Sequence, residues 1–428
     1  MVEKEKFEFI DLNYRPKDDL ICLFRIKPAR GLSIQEVANQ VALESSVGTW
    51  DKVEGMSKEI MNKYGGKVFH INKNFVKIAY PTELFELGNM PSILSGIAGN
   101  IFGMKVIEGL RLEDIDFSNK LRDSFKGPKY GIEGVRKLLN IKNRPLIGTI
   151  VKPKVGLNSS EYAEYAYRAW KGGLDLVKSD ENLTNQNFNR FQERCKKTIK
   201  IKERVEKETG EKKLYVENVT AETKEMLKRA KFIQDNGGNC AMIDIVVSGW
   251  SAFQTLRNED LNLVIHCHRA GHGMFTENPL HGMSMLTVAK IARLIGGDNL
   301  HIGGVFGKMR GKKDEVIQIE KEIEEQIVNI HDIHKGLLKE EWGKIKPMFS
   351  VCSGGIHPGT LPRLIKTMGK NIICQAGGGV SAHPLGVEAG AKAMKQALDA
   401  SLEGINLKEY SKTHKELRIA IDRWGYLK

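Results

Sequence analysis

At 428 residues, with 41% hydrophobic and 28% charged side chains, the chain has ordinary globular composition and enough length for two domains and a large buried core. Its 66 Lys and Arg against 53 Asp and Glu give a formal charge of +13, which suits nucleic acid, a membrane surface or a phosphorylated substrate. The distribution argues against the first two partners: lysines are interleaved with glutamates through 200–213 and 312–339, as on solvated helix faces, and no basic tail occurs.

Residues 1–6 alternate in charge and lack the apolar core of a signal peptide. No stretch approaches the ~18 to 20 uninterrupted apolar residues of a membrane span. The first part of the chain then reads as an α+β unit of ferredoxin-like type: a strand over 21–26, a helix over 34–44, and a strand pair over 67–80 turning at 72–74. Two loops of small residues interrupt it, one running from Glu44 through Thr49 to Trp50, the other from Gly96 to Asn100. Small side chains let backbone come close to a ligand, although both loops also read as plain turns. A strand over 106–112 follows, and the polar segment 113–128 reads as the boundary between a domain at 1–125 and another at 126–428.

The second domain repeats strand, loop and helix. Strands are expected over 146–151, 174–177, 214–216, 241–247, 263–265, 300–302, 348–351 and 372–375. Helices are expected over 160–171, 189–209, 222–236, 284–295, 314–330 and 359–368, with a last one after Gly386. About eight strands alternating with helices predict a (β/α)8 barrel. An open doubly wound sheet is the alternative, but no Gly-x-Gly-x-x-Gly follows the first strand. Cys22, Cys195, Cys240, Cys267, Cys352 and Cys374 are scattered without a Cys-x-x-Cys pair, the pattern of reduced thiols in a cytoplasm.

The active site of such a barrel lies at the C-terminal ends of its strands. Lys152 and Lys154 follow the first strand, Lys178, Asp180 and Glu181 the second, and Glu217 and Asn218 the third. His266, His268, Arg269 and His272 come at the fifth, while His301 closes the sixth ahead of a glycine-rich loop to Lys308. The seventh gives Ser353, Gly354 and Gly355, and the eighth Gly377, Gly378 and Gly379. Consecutive glycines expose backbone N–H groups, and these last two loops are the habitual phosphate site of such barrels. Lys152, Lys154, Lys308 and Arg269 supply more positive charge than one phosphate needs, so a bisphosphate is the expected substrate class.

Asp180 and Glu181 ask for a cation, yet the ammonium of Lys178 has no lone pair to offer a metal. Two readings follow. Lys178 neutralises the carboxylates, the commoner arrangement, or it is carbamylated by CO2 and gains an anionic oxygen. Its place among functional strand ends turns the reading toward a Mg2+ site. His266 and His268 share a strand face around Cys267, but Cys267 points the other way and no fourth zinc ligand is evident. Acid–base work by His268 fits better, and His266, His272, His281, His357 and His383 also read as hydrogen-bonded structure.

With these motifs in order, the chain resembles the large subunit of ribulose-1,5-bisphosphate carboxylase/oxygenase (RuBisCO), especially the archaeal type III that works without small subunits. The resemblance covers nearly the whole chain. Gly148-Thr149-Ile150-Val151-Lys152-Pro153-Lys154 resembles the segment holding the family's base in enolisation, which implies that role for Lys152 and a supporting one for Lys154. The segment from Gly173 to Asn182 resembles the metal segment, with Lys178 as the carbamylated ligand and Asp180 and Glu181 as its Mg2+-binding companions. His268, Arg269 and His272 match a His-Arg-Ala-x-His motif, implying proton transfer by His268 and a phosphate contact by Arg269, joined by His301 and Ser353. The other phosphate falls to Gly355, Gly378 and Gly379, flanked by Gly354 and Gly377, with Thr49 and Trp50. Lys308 takes the tip of a mobile loop that closes over substrate and orients CO2. Glu44 and Asn100 match residues that complete a neighbouring subunit's site, which implies an obligate homodimer.

The activity so implied is carboxylation, and oxygenation, of ribulose 1,5-bisphosphate to two 3-phosphoglycerates, with Mg2+ and an activating CO2. No small subunit, nucleic acid or membrane partner is expected, the location is cytoplasmic, and the archaeal likeness leans toward nucleotide-ribose salvage. Ser179 stands where an aspartate is usual, Gly304 for a threonine, Phe306 for a small aliphatic residue, and Arg310 for a glutamate. Gly271 and Gly273 replace bulkier residues. These departures bear on loop closure and CO2/O2 discrimination more than on the metal site. Two rivals are a RuBisCO-like isomerase of another phosphorylated ketose and a non-catalytic basic binding protein on a retained barrel.

Overall fold

The computed structural model describes residues 9–48, 53–306, 313–329 and 337–427. It divides into two compact units: Met1–Lys126 with Gly271–Leu294 and Glu325–Ile345, and Gly127–Ala270 with Ile295–Glu324 and Lys346–Lys428.

The first unit is built on strands β1 (Asp19–Pro28), β2 (Lys67–Asn72), β3 (Phe75–Pro81) and β4 (Ile107–Asp116), in the order β4-β1-β3-β2. Neighbours are antiparallel, and Gly282–Met283 adds a short parallel strand beyond β4. The helix Ile34–Glu44 joins β1 to β2, and Met90–Ile97 lies between β3 and β4, which gives the ferredoxin-like plan. Ser33 starts the first of these helices as one half of a capping box with Glu36. The β2–β3 turn puts Lys73 at φ +54°, the left-handed conformation that a tight hairpin requires.

The first residues of the polar segment 113–128 extend β4 to Asp116, with Glu113 and Asp114 buried, and the first unit's leading segment ends within it at Lys126. Arg111 on the same strand meets Glu113 at 3.3 Å, and further partners come from far away in sequence. Arg25 lies 2.6 Å from Glu113, and Lys290, itself fully buried, lies 2.7 Å from Asp114 and 3.2 Å from Glu340. Asp114 also accepts the backbone N–H of Leu338 at 2.8 Å. Similarly, the helix expected over 314–330 ends at Glu324, because Ile327–Val328 pairs with Glu340–Glu341 as a two-stranded ribbon.

The second unit is a closed barrel of eight parallel strands: β5 (Leu146–Ile150), β6 (Leu176–Lys178), β7 (Leu214–Asn218), β8 (Cys240–Asp244), β9 (Val264–His268), Asn299–Gly303, Phe349–Ser353 and Ile372–Gln375. Leu146, Leu176, Leu214, Val216, Cys240, Met242, Val264, Phe349, Val351 and Ile373 form its interior. These side chains lie toward the strand starts, and Ile132, Val135 and Leu139 of the helix Gly131–Leu139 pack against them. That leaves the opposite, C-terminal ends for chemistry. Asp298 ties this helix to the barrel by accepting N–H groups from Tyr130, Gly131 and Ile265 at 2.7–2.8 Å. Gly148 is needed on β5, since a Cβ there would sit 2.3 Å from the Leu176 side chain.

The strand expected over 241–247 stops at Asp244, where the chain turns into the short helix Ile245–Ser248. All six cysteines are free and buried. No helix among the described residues is long and apolar enough to cross a membrane.

Burial pushes the Glu340 carboxyl up to about 7, against the pull of Lys290. A native pKa above the unfolded value of 4.5 means that the native state binds the proton more tightly, so stability falls as pH rises from about 4.5 to 7. Glu340→Gln removes this dependence. Denaturant midpoints of variant and parent should diverge across that window in the variant's favour, by at most about 3 kcal/mol; a gap that stays constant with pH would contradict burial as the cause.

Candidate active site

Strand alternation decides which side chains enter the barrel mouth. On β6, Leu176 belongs to the interior, so Lys178 two residues later shares its face, and Lys178 has no exposed surface. Its Nζ donates to the Ser179 carbonyl at 2.8 Å and lies 3.4 Å from Glu181 Oε2. Burial pushes the Lys178 amine below its ordinary range, opposed by Glu181, Asp180 and Asp244. Burial also works against the charge of Glu181, but Lys178, His268 and Lys152 hold its carboxyl down at about 2. Lys152, after β5, donates to Asp180 Oδ2 at 2.8 Å. Lys154 reaches Asn182 Oδ1 at 2.9 Å, and the Lys152–Pro153 peptide is cis.

His268, at the end of β9, completes this group. Its Nε2 is 3.7 Å from Glu181 Oε2, and its Nδ1 is 2.7 Å from Asp244 Oδ1. A carboxylate on one ring nitrogen fixes the imidazole orientation and leaves Nε2 facing the cluster. Asp244 escaped the sequence reading because it lies inside an apolar run, Ala241 to Val247. A single acid within such a run is the signal that marks the strand end.

A second group adjoins through the histidines. His266 Nε2 is 2.9 Å from His301 Nε2, and His301 Nδ1 is 3.2 Å from Ser353 Oγ. The rings of His268 and His301 meet edge to face at 4.7 Å. Burial drives both His266 and His301 well below their ordinary range, so both are neutral at pH 7. Cys267 is buried on the other strand face, near Gly297. Arg269 lies over Gly303, where φ is +103° and a Cβ would come within 2.7 Å of the guanidinium.

Gly354 and Gly355 have φ of +94° and +76° after the seventh strand. Gly377 comes next to Lys152, and Gly378 and Gly379 open the short helix Gly378–Ser381. Glu44 and Asn100 belong to the first unit, Glu44 as the last residue of its helix and Asn100 as the exposed first residue of the 3-10 turn Asn100–Gly103. Thr49, Trp50 and Lys308 lie outside the described residues, as does Arg310. Gly304 and Phe306 are described, and Arg363 lies over the Phe306 ring at 5.9 Å.

Asp180 and Glu181 are the two carboxylates here that suit a hard cation, which takes one or two carboxylates and leaves positions for water and substrate. Lys178 as an amine cannot join them. Among the described residues, no cluster of three or more His, Cys, Asp or Glu side chains could hold a metal alone.

A parallel barrel with lysine, carboxylate and histidine side chains gathered at its strand ends defines an α/β-barrel enzyme. Residues 131–424 match the catalytic domain of the ribulose bisphosphate carboxylase large chain, and residues 8–121 match its N-terminal domain. The chain belongs to the RuBisCO large-chain family. The ribulose bisphosphate carboxylase of Methanosarcina acetivorans is 50% identical over 423 residues, which cover 97% of this chain and 99% of that one. The dimeric archaeal RuBisCO of Hyperthermus butylicus superposes with a TM-score of 0.93 at 46% identity, covering 98% of this chain and 99% of its own. The octameric enzyme of Pyrococcus horikoshii gives 0.90 at 44% identity, covering 97% and 96%.

Asp244→Asn should leave the fold intact and lower turnover by about 10- to 100-fold while KM for the sugar phosphate changes little. Steady-state kinetics check this, and a change confined to KM would mean that Asp244 does not act through His268.

Proposed function

We propose that this chain carboxylates ribulose 1,5-bisphosphate, consuming one CO2 and one water and releasing two 3-phosphoglycerates. The observation that carries the reading is the convergence at the ends of β5, β6 and β9, where Lys152 lies 2.8 Å from Asp180 while Lys178 and His268 lie 3.4 and 3.7 Å from the adjacent Glu181.

The donor set fits Mg2+ once Lys178 carries CO2. Addition of CO2 needs a neutral amine, and the burial that pushes Lys178 down favours that form. The carbamate then gives a third oxygen donor beside Asp180 and Glu181. Mg2+ held there supplies positive charge that stabilises the substrate oxygens as they become negative. Lys152 takes the C3 proton. Lys152 Nζ lies 2.8 Å from Asp180 Oδ2, which sets this base beside the residues that would hold the cation. His268, oriented by Asp244, moves protons at the substrate hydroxyls.

C2 of the resulting enediol attacks CO2, water adds at C3, the C2–C3 bond breaks, and the carbanion left at C2 takes up a proton to give the second 3-phosphoglycerate. Arg269, His301 and Ser353 bind one phosphate. Gly355, Gly378 and Gly379, with Gly354, Gly377, Thr49 and Trp50, bind the other, and Lys154 supports Lys152. Lys308 orients the incoming CO2. Oxygenation of the same enediol and service in nucleotide-ribose salvage belong to this reading. Glu44 and Asn100 complete a partner's site in a homodimer of two-domain chains split near residue 125, without small subunits. The H. butylicus relative is dimeric and the P. horikoshii relative octameric. The six buried free thiols suit a reducing cytoplasm.

Incubation with ribulose 1,5-bisphosphate, Mg2+ and labelled bicarbonate should place label in 3-phosphoglycerate. Proton exchange at C3 without fixed label would sink the carboxylase assignment. Lys178→Ala should fold normally and lose CO2-dependent activation altogether; full activity in that variant would remove Lys178 from the metal site.

A further inference from the structure

The residue between Lys178 and Asp180 points the other way. By the period of two, Ser179 lies on the outer face of the barrel, beneath the helices Ser159–Lys171 and Phe191–Thr209. On β7, Leu214 and Val216 face the interior, so Tyr215 and Glu217 share that outer face. Ser179 Oγ donates to Glu217 Oε2 at 2.9 Å and lies 2.7 Å from the Tyr162 hydroxyl. The Tyr215 hydroxyl donates to the same Glu217 oxygen. Arg194 meets the carboxylate from the helix side, Nη2 to Oε1 at 2.5 Å and Nε to Oε1 at 3.1 Å. Neither partner has any exposed surface.

The remaining donors of Arg194 go to the carbonyls of Asn189 at 2.8 Å and Thr184 at 2.7 Å, in the loop that follows Glu181. One buried ion pair therefore grips the residue between two ligand candidates and the loop just beyond the third. Lys178 Nζ is bonded in turn to the carbonyl of Ser179.

A buried ion pair adds little net stability over an apolar pair of the same volume, because both charges lose their water. The reaction steps above do not use this one. We infer that Arg194 and Glu217 are positioning residues, which by fixing Ser179 and the 184–189 loop from outside the barrel hold Lys178, Asp180 and Glu181 in cation-binding geometry inside it. The inference rests on the cation reading of those three residues. The geometry also makes the carboxylate transferable: an aspartate at 179 would place its oxygens where Ser179 Oγ now meets Glu217.

The test compares three variants of the full chain, Glu217→Gln, Arg194→Met with Glu217→Leu, and Ser179→Asp with Glu217→Gln. Two readouts need no turnover: Mg2+ affinity by calorimetry in CO2-saturated buffer, and the 13C signal of the carbamate formed from labelled CO2. Glu217→Gln and the apolar pair should each lose about 10- to 100-fold in Mg2+ affinity, the range for supports of metal ligands, with a matching loss of carbamate signal. The apolar pair should remain folded with a lower thermal midpoint, because the Ser179 and Tyr215 hydroxyls lose their acceptor, and Ser179→Asp with Glu217→Gln should regain affinity to within about threefold of the parent. Parental Mg2+ affinity and carbamate in a folded apolar pair would overturn the inference, as would a transfer variant no better than Glu217→Gln. If the apolar pair fails to fold, the comparison of Glu217→Gln with the transfer variant decides on the same terms. A parent that forms the carbamate and binds Mg2+ without fixing CO2 would refute the carboxylase reading and leave this inference standing.

Discussion

The arrangement of the catalytic unit follows from one constraint: a lysine with no exposed surface must find partners for its amine or give up its charge. Lys178 sits at the end of a strand only three residues long, with acids on one side and a backbone carbonyl as its nearest acceptor. With no accessible surface, the amine lacks the water that usually solvates an ammonium. Burial therefore weakens the amine's hold on its proton at a point where two carboxylates already gather, which suits the CO2 and cation chemistry proposed above. A more exposed lysine would remain an ordinary counter-ion.

Holding that arrangement needs the two faces of one strand to do different work. The inner face carries reactive groups, and the outer face carries the hydrogen bonds that stop them from moving. The barrel interior near the strand starts is filled with aliphatic side chains and backed by the helix Gly131–Leu139, so the floor beneath the site is rigid. The candidate-site side chains come from the ends of β5, β6, β8, β9 and the strands at 299–303 and 349–353. Their mutual geometry depends on barrel closure rather than on any one loop, which suits groups that must meet within hydrogen-bonding distance.

Much of this was legible in the sequence, for reasons that differ by element. Barrel strands show as short apolar runs because both faces are covered, and the run over 372–375 carries both of its limits correctly. The helix Ile34–Glu44 is marked by its Ser33 and Glu36 cap. Lys152, Lys178, Asp180, Glu181 and His268 stand out because charge or imidazole follows an apolar run. What the sequence hid were polar residues whose partners are remote. Glu113 and Asp114 looked like a linker until Arg25 and Lys290 arrived to neutralise them. Asp244 was hidden inside an apolar run, Glu217 read as a strand-end group of the barrel mouth rather than of its outer face, and Arg194 carried no local signal, although each has a partner from another element. Local periodicity cannot report a pairing made 23 or more positions away.

The burial of all six thiols has a practical corollary. Burial raises the affinity of each sulfur for its proton, so few thiolates form and reagents cannot reach them while the chain is folded. Cys22 lies in the first unit and the other five in the barrel unit, from the helix Phe191–Thr209 to the last strand. Each cysteine is thus a sealed reporter that reacts only when its own element opens, and mapping modified positions by mass would resolve the order in which the two units come apart.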